Sequence, residues 1–105
     1  MEQPNLSEIN KLSNGDKIFE EKIFNVIKKE FPLEKDQYFS NLEHKNLIKA
    51  AEDVHKLKHK ISILGLEKSY EIATDYENNL KKGSYKLKED FEKTLQVITE
   101  YINTL

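Results

Sequence analysis

The chain has 105 residues, of which 37% are apolar and 34% charged, with three glycines, two prolines and no cysteine. That length closes one hydrophobic core, so a single domain over 1–105 is expected; the composition excludes a disordered or fibrous chain, and the lack of cysteine excludes disulfides, thiolate metal sites and thiol nucleophiles. A net charge of −2 speaks against nucleic acid as a partner, and neither a signal peptide nor an apolar run of membrane-spanning length is present, so a cytoplasmic location without a membrane partner is expected.

Asn5 followed by Glu8 has the spacing of a capping box and predicts a short helix through Leu12, which Asn14-Gly15-Asp16 ends before capping the next. From Asp16 to Phe31 the residues Ile18, Phe19, Ile23, Val26, Ile27 and Phe31 recur at three- and four-residue steps, the pattern of a core-facing stripe. Pro32 removes a backbone donor and restrains Phe31, which predicts a break or kink. Helix is expected to resume over Leu33 to Leu42 around Tyr38, Phe39 and Leu42, as a separate piece or as the second arm of one bent helix. A third long helix, from about Lys45 to Leu64, is expected to bury Leu47, Ala51, Val54, Leu57, Ile61 and Leu64, and Gly65 ends it. A fourth, from about Glu67 to Lys82, turns Leu66, Tyr70, Ala73, Tyr76 and Leu80 inward, with Gly83 placed as a C-terminal cap. Ser84 is expected to cap a fifth, whose period runs through Leu87, Phe91, Leu95, Ile98 and Ile102. The expected fold is therefore all-α, an antiparallel up-down-up-down four-helix bundle with a short extra N-terminal helix.

With Val54 at the middle of its buried stripe, His55 falls about a quarter turn away, at the boundary between core and water. The tight turn at Gly65-Leu66 sets residues equidistant from it side by side on the two helices, so position 55 faces position 77. Glu77 is then placed to accept a hydrogen bond from one imidazole nitrogen, leaving the other as a nucleophile with its lone pair toward solvent. Lys58, three residues on, is expected to reach the oxygens of a group attached to His55, and Ser62, two turns along, leaves the surface open. Taken singly, each has a plainer reading: Lys58 as a surface lysine laid along apolar side chains, Glu77 as a solvated charge, Gly65 as a helix stop.

The run His55-x-Leu57-Lys58-x6-Gly65, followed by Tyr76-Glu77, resembles the histidine phosphotransfer (HPt) domains of two-component phosphorelays. Their signature is a His-x-Leu/Ile-Lys run, a glycine ten residues after the histidine and a Gln or Glu on the next helix. The similarity covers nearly the whole chain, with Leu12, the Asn14-Gly15-Asp16 turn, Phe19 and Phe31 at the family's short first helix, turn and long second helix. The resemblance implies that His55 is the phosphoacceptor, Lys58 the phosphate-side cation and Glu77 the imidazole partner. It implies a phosphocarrier with no ATP site and no cofactor of its own, working as a monomer. Its partners would be the receiver domains of response regulators, which supply magnesium, and a hybrid histidine kinase. Lys56, His59 and Ser62 are expected at the docking surface. His59 is a departure, since most members have glycine four residues after the histidine. Two other readings stand beside this one: a metal-binding bundle using the His55-x3-His59 pair with Glu52, and a helical adaptor without chemistry.

Overall fold

The computed structural model describes residues 2–105. Among them are five helices and no strand: α1 (Ser7–Ser13), α2 (Lys17–Glu43), α3 (Leu47–Ile63), α4 (Glu67–Lys81) and α5 (Lys88–Asn103). One cluster of buried residues runs through all five, from Ile9 on α1 to Ile98 on α5.

Seven residues are too few for a self-supporting helix, and α1 is held by its flanks. The Asn5 side chain accepts the Ser7 amide at 3.0 Å, Asn14 ends the helix at φ 51°, and Ile9 is buried. The segment before α1 lies across the turn between α3 and α4. There the Asn5 amide donates to the Leu64 carbonyl at 2.8 Å, and the Glu2 carboxylate accepts the amides of Lys68 and Ser69 at 3.0 and 2.9 Å.

Asp16 caps α2 by accepting the amides of Ile18 and Phe19. The helix then continues through Pro32 for 27 residues in all, so the two expected pieces are one helix and no break occurs. Pro32 is exposed, while Phe31 and Tyr38 on either side of it are buried. Packing anchored on both sides of the proline outweighs the single hydrogen bond its ring denies to the Lys28 carbonyl. At 1.5 Å per residue α2 is about 40 Å long, which accounts for the 43 Å long axis of the molecule.

The buried face of α2 is narrower than its apolar pattern. Ile27, Phe31 and Tyr38 are inside, but Ile18, Phe19, Val26 and Phe39, all expected in the core, are exposed. For Ile18, Phe19 and Val26 the cause is length: Lys60, near the end of α3, pairs with Glu30 and Glu34, so the first half of α2 outruns its main neighbour. Phe39 instead lines an open depression beside α5 with Lys35, Leu95 and Thr99. At the other end of that contact Asn41 donates to Asp53 at 2.6 Å.

On α3 the expected face is inside: Ala51, Val54, Leu57, Ile61 and Leu64 are fully buried and Leu47 packs at its edge. Gly65 stands at φ +78°, and the Leu66 amide returns to the Ile61 carbonyl at 3.2 Å, closing the helix end. α4 buries Ala73, Tyr76 and Leu80, whereas Tyr70, expected inside, is exposed. Ser84 does not cap α5: its hydroxyl accepts the Lys86 amide within the turn, and the helix begins at Lys88 after Leu87 at φ 76°. That left-handed residue lets the Leu87 side chain pack on the core, and Asn79 holds the turn by donating to the Lys86 carbonyl at 3.0 Å.

Candidate functional site

His55 is on the exposed edge of α3 and Glu77 on the buried side of α4, next to Tyr76. The His55 side chain is 54% exposed and that of Glu77 only 9%, and Nδ1 of the imidazole is 3.3 Å from both carboxylate oxygens. An ionised carboxylate only accepts, so Nδ1 carries the proton and Nε2 presents its lone pair away from Glu77.

Glu77 holds more than the histidine. The Lys58 ammonium is 3.2 Å from Oε1 and the Lys81 ammonium 3.2 Å from Oε2. Burial pushes the Glu77 carboxyl up, but hydrogen bonds from Lys58, Lys81 and His55 outweigh it and hold the group below the ordinary carboxylate value of 4.5. Glu77 is therefore an anion at neutral pH, backing the imidazole from inside the protein.

Lys58 is not on the open side of His55. It is buried, with its ammonium on Glu77 and 5.3 Å from the centre of the Tyr70 ring, which explains why Tyr70 lies outside the core: its face covers the cation. A residue that the sequence did not single out stands at the surface instead. Lys81, half exposed, lines an open depression together with Glu52, His55, Lys56 and Glu77. Its signal was present, since Glu77 and Lys81 have the i,i+4 spacing of a helical ion pair.

Lys56 is exposed on this depression, and Ser62 is exposed two turns from His55. His59 places its ring against that of His55, with centroids 5.1 Å apart and planes at 89°. Glu52 does not complete a metal site with them; among the described residues no three His, Asp or Glu side chains come together as ligands. His44 is engaged elsewhere, its Nδ1 2.7 Å from the Ser40 carbonyl.

The arrangement supports one kind of chemistry well. A half-exposed imidazole is held through one nitrogen by a buried anion behind it, which leaves the second nitrogen for an electrophile arriving from solvent. Comparison of the chain with protein-family models, with curated proteins and with solved structures found no match, so the reading of the site rests on this geometry.

Proposed function

We propose that the protein is a histidine phosphotransfer carrier of the two-component type, in which His55 takes a phosphoryl group from a receiver-domain aspartate and passes it to another response regulator. The observation that carries this reading is the exposed His55 ring held through Nδ1 by the buried Glu77. In the transfer step Nε2 attacks phosphorus in line, the N–P bond forms as the acyl-phosphate P–O bond breaks, and the aspartate carboxylate leaves. The Nδ1 proton stays on the ring, whose acquired positive charge is offset by Glu77. Magnesium belongs to the receiver. The phosphoryl group comes from a partner because these 105 residues contain no glycine-rich phosphate loop. A cytoplasmic site of action suits such partners, and no helix among the described residues is long and apolar enough to cross a membrane.

The frame for this site is an up-down-up-down bundle of α2 to α5 in one domain, with α1 as an addition. Side-chain pairs between helices support it. Asn41 meets Asp53 and Glu30 meets Lys60 across α2 and α3; Lys35 meets Thr99 across α2 and α5, and Lys28 reaches the Leu105 carbonyl just past the end of α5. In each pair of helices the numbers rise on one side as they fall on the other, the signature of antiparallel neighbours.

Incubation with a phosphorylated receiver domain, read by intact mass, tests the reading. The expected result is one added phosphoryl group, lost in acid and absent in His55→Gln. A folded protein that takes up nothing from several receivers would leave the adaptor reading in its place.

A further inference from the structure

The lysine three residues after the histidine, which an HPt domain would turn toward its phosphoryl group, is not on the open side of His55. Lys58 is buried and bound to Glu77, and Lys81, although half exposed, is bound to the other oxygen of the same carboxylate. Two groups beside His55 are not tied up: Lys56, on the same depression, and His59, whose ring touches that of His55. His59 is exposed, its ring meets that of His55 at right angles with centroids 5.1 Å apart, and its nitrogens have no hydrogen-bond or ion-pair partner among the described residues.

We propose, on the phosphocarrier reading above, that His59 in its protonated form donates an N–H to the phosphoryl oxygens on His55. It thereby makes retention of the group dependent on pH. No bond is made or broken by His59 itself. The phosphoryl group brings negative charge to Nε2 of His55, and a protonated imidazole one turn along the helix, already in ring contact with His55, is a donor that no carboxylate holds elsewhere. The charges around it are few. On α3 they are Glu52, Lys56, the buried Lys58 and Lys60, the last committed to Glu30 and Glu34 of α2; from α4 they are Glu77 and Lys81, and Glu77 engages Lys58, Lys81 and His55. The direction follows from linkage. A phosphoryl group that binds the protonated form of His59 better must raise the His59 pKa, and protonation must favour the loaded carrier by the same factor.

The test needs no receiver domain. Potassium phosphoramidate transfers its phosphoryl group to imidazole as its P–N bond breaks and ammonia leaves, and NMR then follows each histidine ring through a pH titration. With the group on His55, the His59 pKa is expected to rise by about one unit, the size usual for an opposite charge within a few ångströms. His55→Gln treated in the same way should show no rise. Compared at the same pH, loss of the phosphoryl group should be faster in His59→Gln than in the wild type near pH 6, whereas His59→Lys should hold it as long as the wild type at pH 6 and longer than the wild type at pH 8. Position 59 is exposed, so both variants are expected to fold. A His59 pKa that stays put or falls in the loaded protein overturns this inference while leaving the carrier reading intact. Modification on His59 instead of His55 also overturns it. Failure of transfer from receivers, with the titration shift present, counts against the carrier reading alone.

Discussion

At the scale of single residues, Glu77 has the most to lose by substitution. Among the described residues it is the one carboxylate in contact with the buried Lys58 ammonium, so Glu77→Gln leaves a cation inside the protein without a counter-charge. The expected loss is about 2–4 kcal/mol in chemical denaturation, with roughly half recovered when Lys58→Met removes the stranded charge as well. If the double variant is as unstable as the single one, Lys58 is not the reason for the loss. The same carboxylate sets a pH dependence. Its folded pKa is depressed below 4.5, so its contribution is complete above the unfolded value and disappears as the pH falls through the lower folded one. Between pH 5 and pH 3 the wild type should therefore lose more stability than Glu77→Gln, and parallel curves would remove Glu77 as the source. The pairing of His55 with Glu77 was legible in the sequence because a tight turn fixes the register of the two helices around it. The position of Lys58 was not. Spacing tells which flank a side chain leaves from, but a four-carbon stem can run toward either the open face or the partner helix, and here a buried carboxylate attracts it.

Among the elements, α2 separates what periodicity shows from what it cannot. Residues at helical spacing identify an apolar face, but a face is buried only as far as another helix covers it. Ile18, Phe19 and Val26 lie beyond the end of α3, whereas α3, which α2 and α4 both contact, keeps its expected face inside. The start of α5 was missed for a different reason: Ser84 has the right chemistry for a cap, but Leu87 reaches the core only after a left-handed turn, and the helix waits for it. At Pro32 local chemistry allowed two separate pieces or one bent helix, and tertiary contacts on both sides keep the helix continuous. Two substitutions test this account. Pro32→Ala restores an amide that can donate to the Lys28 carbonyl, and a gain of about 1–3 kcal/mol is expected; no gain would mean that the helix already bends to spare the lost bond. Gly65→Ala acts in the opposite direction. A methyl group there would come within 2.5–2.8 Å of the Asn5 side chain while φ stays at +78°. A loss of about 1–2 kcal/mol is expected in thermal or chemical denaturation. Asn5→Gly in the same chain should return part of it.

For the whole molecule, the feature that joins distant parts of the chain is a polar one inside the core. The hydroxyls of Tyr38 and Tyr76 are 2.6 Å apart, and Tyr38 donates to Glu92 at 2.9 Å, so α2, α4 and α5 share one hydrogen-bonded chain among the rings of Tyr38, Tyr76 and Phe91. With Tyr38 donating to Glu92, its oxygen is free to accept from Tyr76, and each hydroxyl has a role that phenylalanine cannot fill. Burial raises the pKa of both phenols. For Tyr38 the hydrogen bond with Tyr76 and the charge of Glu92 add to it; for Tyr76, pushed up to about 12, the bond with Tyr38 works the other way. A raised phenol favours the folded state while the unfolded chain is neutral, and that stability is lost as the pH climbs past about 10 toward the folded value. Tyr38→Phe is expected to cost about 1–2 kcal/mol at pH 7, because it leaves the Tyr76 hydroxyl without its partner and takes one bond from Glu92, which keeps Lys88. Tyr76→Phe removes only the outer donor and should cost less. The discriminating measurement is the alkaline limb of the stability curve, which should flatten in both variants. A wild-type limb unchanged by either substitution would mean that the two phenols do not ionise on unfolding. The contact between the hydroxyls would then contribute by packing alone.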